Sequence, residues 1–114
     1  MIKDDNINYC FIQFKCTYQL NVNEELYVVG NINELGNWDI KKAEKLICNK
    51  ESYYHSSKNL KVKQDQNIEY RYVIYKNGQF CHWEEGLKEF ENRKLEIKKS
   101  YMIIVNDKKG KESY

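Results

Sequence analysis

Proline is absent from the chain, and only five of its 114 residues are glycine. Its turns must therefore rest on those glycines and on asparagine, which tolerates a left-handed backbone better than most residues. No apolar run approaches the roughly 20 residues of a membrane-spanning helix, and Met1-Ile2-Lys3-Asp4-Asp5 does not open a secretory leader. A surplus of one charge is missing too. With 19 basic and 17 acidic residues the net charge is +2, which lacks the basic footprint of a nucleic-acid binder. The short lysine runs Lys41-Lys42 and Lys108-Lys109-Gly110-Lys111 suit solvated surface and tail. Neither nucleic acid nor a membrane is expected as a partner.

Metal and catalytic signatures are equally scarce. Cys10, Cys16, Cys48 and Cys81 contain no C-x-x-C pair and no zinc framework, and no ligand-spaced partner joins His55 or His82. No metal and no cofactor are expected. Cys10 and Cys16 fall on one face of an extended segment, where small thiols suit a core. With no leader to signal an oxidising compartment, all four are expected to be reduced and the protein cytoplasmic, or secreted if a leader has been removed. G-x-S-x-G, P-loop and H-E-x-x-H patterns are missing, and no cysteine is followed six positions on by arginine. The adjacent carboxylates Asp4-Asp5, Glu24-Glu25 and Glu84-Glu85 point to opposite faces when extended, so adjacency makes no acid–base pair. Enzymatic activity is not expected.

What the chain does have is aromatic residues, 14% of it, with ten Tyr, four Phe and two Trp. Tyrosine favours half-buried strands and contact surfaces. Cys10, Ile12, Phe14, Cys16 and Tyr18 alternate with polar residues, as do Leu60 and Val62, and Ile68, Tyr70, Tyr72 and Ile74, which is the period of a strand with one buried face. Leu26-Tyr27-Val28-Val29 is a short apolar strand ending at Gly30. Asn77-Gly78 signals a tight hairpin, with Phe80 to Trp83 returning, and Leu95 to Ile97 and Tyr101 to Val105 complete the series. Helical turns are expected only over Asp39 to Leu46 and Leu87 to Glu91. The pattern predicts an all-β fold, an antiparallel β-sandwich of about seven to eight strands. Its length fits one domain over 1–114, with a core of about 9–105 and flexible ends at 1–6 and 108–114.

The tryptophans stand out against this frame. Trp38 follows Leu35-Gly36-Asn37 in a loop, and Trp83 precedes Glu84-Glu85-Gly86. Each either caps the core or offers its indole to a ligand. A pair of indole faces suits sugars, whose C–H-lined faces are apolar and whose hydroxyl rims take hydrogen bonds. The run Val28-Val29-Gly30-Asn31-Ile32-Asn33-Glu34-Leu35-Gly36-Asn37-Trp38-Asp39, with Ala43 and Leu46 behind it, resembles the starch-binding domains of carbohydrate-binding module family 20. Glu69-Tyr70-Arg71-Tyr72-Val73-Ile74 resembles that family's E-Y-K-Y-V-I strand, and Trp83-Glu84-Glu85-Gly86 its W-E-x-G turn, with Asn92-Arg93 in the place of its N-R pair. The blocks come in the family's order and span about residues 9 to 105.

The resemblance implies an immunoglobulin-like sandwich and a non-catalytic module that binds α-1,4-glucans, among them starch, amylopectin, glycogen, the maltose series and cyclodextrin. It implies a first site that stacks glucose on Trp38 and Trp83, with Arg71, Glu84 and Asn92 beside them. Here Leu87 to Glu91 intervenes before Asn92-Arg93, which the family places soon after its W-E-x-G turn. A second family site has Tyr53 and Tyr54 as candidates, although Tyr53 also suits a core position that the family fills with tryptophan. Attachment to a parent enzyme such as an amylase, glucan phosphatase or phosphodiesterase is expected, and a monomer. The alternative is an immunoglobulin-like protein-interaction or regulatory domain that has lost sugar binding.

Overall fold

The computed structural model of the chain describes residues 8–49, 53–88 and 91–109. Alternation in the first apolar segment makes β1, Tyr9–Thr17, which buries Cys10, Ile12, Phe14 and Cys16 on one face. Alternation over Gln66–Lys76 makes β7, the longest strand, which buries Ile68, Tyr70, Tyr72 and Ile74. These two strands are the centres of two facing sheets. In the first sheet β1 is flanked by β10 (Met102–Lys108), by β5 (Tyr54–Ser56) with β4 (Ile47–Cys48) beyond it, and by β6 (Leu60–Lys63). In the second, β7 is flanked by β2 (Glu24–Gly30) with β3 (Glu44–Lys45) beyond it, and on its other edge by β8 (Gln79–Trp83) and then β9 (Arg93–Ile97). The expected sandwich is present, with three short strands, β3, β4 and β5, that no sequence pattern announces.

Two details depart from the expected plan. The pair β1–β10 is parallel, from Phe11↔Met102 to Thr17↔Lys108, while every other pairing is antiparallel. The chain leaves β9 in the second sheet and crosses to a free edge of the first, and such a crossover, unlike a hairpin, permits a parallel entry. β10 itself runs on to Lys108, beyond Val105, the last buried residue of the core, and the Lys109 amide donates to the Thr17 carbonyl. Residues 1–6 and 110–114 lie outside the described residues. Second, the expected helical stretch Asp39 to Leu46 forms only a 3-10 turn at Ile40–Lys42, capped by the Asp39 carboxylate accepting from the Lys41 amide at 3.0 Å. The stretch has one fully apolar anchor, Leu46, where the chain changes sheets; its amide donates to the Leu26 carbonyl. Over Leu87 to Glu91 the Glu91 amide donates to the Lys88 carbonyl, and 89–90 lie outside the described residues.

The core is held by more than apolar contact. Phe14 and Tyr70 meet edge-on at 4.9 Å across the sandwich, and Tyr70 and Tyr72 at 5.9 Å, pairs worth about 0.5–1.5 kcal/mol beyond their burial. Both tyrosine hydroxyls donate to the same Asp107 oxygen, each at 2.7 Å, tying β7 to β10. Burial, reinforced by the Asp107 charge, raises both phenol pKa values, so both stay neutral donors. His55 fills an inward position of β5 and donates from Nε2 to the Tyr18 carbonyl at 2.9 Å. Burial pushes its pKa down and keeps it neutral. All four cysteines are free thiols, two buried (Cys10, Cys16) and two exposed (Cys48, Cys81).

Candidate functional site

The outer face of the second sheet is not left to solvent. Val29 and Val73 point away from the central cluster, yet both are fully buried. The segment from Asn31 to Lys42 reaches this face at Ile40, whose carbonyl meets Tyr75. It leaves β2 with Asn31 bridging to β7, its amide donating to the Glu69 carbonyl and its side chain accepting from the Glu69 amide. Leu35 then turns in and plugs the end of the core, while Ile40 accepts a hydrogen bond from the Tyr75 hydroxyl on the outer face. Trp38 sits between these two anchors, and 37% of it is exposed. The core plug of this loop is therefore Leu35, not Trp38.

The backbone under Trp38 is forced into place. Gly36, Asn37 and Trp38 have φ of 82°, 51° and 66°, three consecutive residues in the left-handed region. For a bulky residue such as tryptophan that conformation is strained, at a cost of order 1–3 kcal/mol, and it persists only where surroundings impose it. They are imposed here by the Leu35 and Asn37 amides, which both donate to the Ile32 carbonyl, and by the Asp39 amide on the Gly36 carbonyl. The loop also needs Gly30. A β-carbon there would lie 2.6 Å from the Glu69 carbonyl oxygen and 2.9 Å from Leu35 Cδ1. Gly30→Ala is expected to destabilise the domain by about 1–3 kcal/mol, the usual range for overpacking, read as a lower urea midpoint at an unchanged slope.

Trp83 reaches the same outer face from β8, opposite Val73. It meets Phe80 edge-on at 6.1 Å, Phe80 meets Tyr75 at 6.3 Å, and Tyr75 leans on Tyr27 at 4.5 Å, an aromatic row across three strands. Trp83 is 37% exposed and Phe80 40%. The Arg71 guanidinium lies 5.3 Å from the Trp83 ring centre, a cation–π contact that covers one indole face. Its Nε is buried without a hydrogen-bond partner among the described residues. Tyr75 is the member of this row that the sequence patterns did not single out, because it falls on the face of β7 opposite the buried Ile74.

Glu84 belongs elsewhere. Its side chain is 0% exposed, so the expected contact with ligand is corrected. β8 leaves β7 after Val73↔Trp83, and β9 joins it at Tyr70↔Arg93. Glu84 fills the gap between them, accepting from the Tyr72 amide at 2.7 Å while its own amide donates to the Tyr72 carbonyl. Arg93 grips the same carboxylate from Nη2 at 2.7 Å and from Nε at 3.1 Å, and also donates to the Lys108 carbonyl at 2.6 Å. Burial lowers the guanidinium pKa, but the bonds and charges of Glu84 and Asp107 outweigh it and the net shift is upward. The acidic and basic residues of the W-E-x-G and N-R blocks thus close the sheet as a buried ion pair, despite the longer sequence between them. Asn92, one residue beyond the Tyr70↔Arg93 pair, comes level with Arg71 and is half-buried, its amide donating to Glu69 at 3.2 Å.

The second-site candidates differ in their surroundings. Tyr53 is 47% exposed, which corrects the reading of it as a core residue. The buried position beside it is taken by His55. Tyr54 is half-buried on β5 opposite Thr17. Tyr53 lies in the bend just before β5 and Tyr54 opens the strand.

The starch-binding domain family, carbohydrate-binding module family 20, matches residues 9–106. The chain belongs to this family. Its members are non-catalytic modules that bind starch-type α-glucans. Among curated relatives, this starch-binding domain is 36% identical over 63 residues to a cyclomaltodextrin glucanotransferase of Bacillus sp. (strain 1-1), covering 54% of this chain and 9% of the enzyme. The chain spans about a tenth of the length of the curated relatives it matches. Among solved structures, the family 15 glucoamylase of Hypocrea jecorina superposes with a TM-score of 0.78 at 16% identity, over 90% of this chain and 17% of that one. The family 20 module of a maltotetraose-forming amylase from Pseudomonas saccharophila gives 0.66 at 19% identity, over 86% of this chain and 98% of that one. Both likenesses show the fold of this starch-binding domain.

Proposed function

We propose that this starch-binding domain holds α-1,4-glucan chains, of starch or glycogen, by stacking glucose on Trp38 and Trp83, and so keeps an attached enzyme on its polysaccharide. One observation carries the reading. Both indoles are 37% exposed: Trp83 on the outer face of the second sheet, with an Arg71 guanidinium 5.3 Å from its ring centre that makes no ion pair among the described residues, and Trp38 on the loop whose Ile40 carbonyl accepts from Tyr75. Neither indole N–H is engaged by a hydrogen bond among the described residues, where a buried tryptophan usually finds a partner. Asn92 stands level with Arg71 to meet sugar hydroxyls. Glu84 supports the site from behind, through the strand end that carries Trp83.

Two stacked rings and a few hydrogen bonds in competition with water give a net of about −4 to −7 kcal/mol, or roughly millimolar to ten micromolar dissociation constants. The purified domain is therefore expected to leave solution on insoluble starch but not on cellulose, and to be released by soluble maltooligosaccharide or cyclodextrin. Equal retention on both solids, or no retention on starch, rules the proposal out and favours the interaction-domain alternative.

A further inference from the structure

We infer that Glu24, Cys81 and His82 form a binding site for one divalent zinc-class ion, on the far side of β8 from Trp83. One ligand atom from each of these residues lies within 4.8 Å of the others. The sequence spacing hides this site, because its glutamate comes from β2 and only the sheet brings it to β8.

A bulge makes the constellation possible. Neighbouring residues of a strand face opposite ways, so Cys81-His82 should not act together. In β8, however, the register against β7 slips between Ile74↔His82 and Tyr75↔Phe80, leaving Cys81 as the extra residue. A bulge of this kind re-aims a side chain, and here it turns the Cys81 thiol towards the side on which His82 pairs with Ile74. Glu24 lies on that side too, two residues before Leu26, the β2 partner of Ile74.

Each ligand is also oriented from behind. His82 Nδ1 lies 2.7 Å from the Trp83 carbonyl. A carbonyl only accepts, so Nδ1 carries the proton and Nε2 keeps its lone pair for a metal, the usual outer-shell arrangement of a ligating histidine. Glu24 Oε1 accepts from the Asn21 amide at 2.7 Å, which holds the carboxylate and leaves its second oxygen available. The donor set of one thiolate, one imidazole and one carboxylate matches zinc, which takes S, N and O ligands at about 2.0–2.3 Å. Ligand atoms around such a tetrahedral ion are about 3.5 Å apart, so an ion would draw these three in from separations that are within 4.8 Å. Three protein ligands leave a fourth position to water. A bound ion would clamp edge strand β8 to the start of β2 across β7, directly behind the residue that presents Trp83.

The test is a titration of the reduced chain with cobalt(II), then zinc. One equivalent of cobalt is expected to give a thiolate-to-metal charge-transfer band in the near ultraviolet, which zinc then abolishes by displacement. The band should vanish in Cys81→Ser and persist in Cys48→Ser, whose thiol is also exposed. Glu24→Gln and His82→Gln keep shape and should bind at least about tenfold more weakly, the scale on which even outer-shell partners act. Circular dichroism of each variant confirms the fold. Persistence of the band in Cys81→Ser, undiminished affinity in both glutamine variants, or no band in the parent overturns the proposal.

Discussion

Arg93→Ala is expected to remove about 3–5 kcal/mol of stability, the usual consequence of breaking a buried ion pair from one side. The Glu84 side chain is 0% exposed and that of Arg93 is 9%. Without the guanidinium, the carboxylate stays buried with only the Tyr72 amide at 2.7 Å to compensate it. Asp107 loses a cation at 3.4 Å and keeps its two tyrosine hydroxyls. Four contacts fail together, because beyond Glu84 and Asp107 the same guanidinium also holds the Lys108 carbonyl and packs on the Tyr72 ring, 5.4 Å from its centre. Against a total of about 5–15 kcal/mol for a domain of this size, such a loss unfolds much of the population at moderate urea. Equilibrium denaturation measures it directly. The double variant Glu84→Gln/Arg93→Met, which removes both charges, should recover part of the loss, since an uncompensated buried charge is the expensive element. A single-variant loss below about 1 kcal/mol, typical of exposed pairs, contradicts the assignment.

Trp38→Ala and Trp83→Ala should each weaken maltooligosaccharide or cyclodextrin binding at least about tenfold, with little loss of stability. Aromatic stacking on flat ligands contributes on the order of 1–3 kcal/mol per ring, and tenfold corresponds to about 1.4 kcal/mol. At 37% exposure neither indole resembles a buried ring, whose truncation costs about 3–5 kcal/mol. Trp38 offers a sharper form of the test, because its φ of 66° is strained for any residue with a β-carbon. Trp38→Gly relieves that strain, at about 1–2 kcal/mol, while deleting the indole. Binding should fall and stability hold. Calorimetric titration paired with urea denaturation separates the two quantities. If the tryptophan variants unfold early and their folded fraction still binds glucan normally, both indoles are structural and the site lies elsewhere.

What the sequence by itself determined is whatever local chemistry decides. The alternation in β1 and β7 specified which residues face the core, because the pleat has period two and a half-buried sheet enforces it. Asn77-Gly78 specified the β7–β8 hairpin because both residues accept positive φ, 53° and 78° here. A tryptophan set among Gly and Asn marked a loop with an unusual task. Tertiary structure decided what depends on partners distant in the chain. The parallel entry of β10, the change of sheet at Leu46 and the short strands β3, β4 and β5 depend on which strand edges the rest of the chain leaves unpaired. Glu84 was legible as a motif position only through resemblance, and its burial was not. An exposed carboxylate and a buried one look alike in sequence until the gap between β8 and β9, and the arginine that fills it, are known. Cys81-His82 makes the same point from the other direction. Adjacency argued that the two side chains part, and a single extra residue in β8 brought them together with Glu24, because facing along a strand is counted residue by residue and one bulge resets the count.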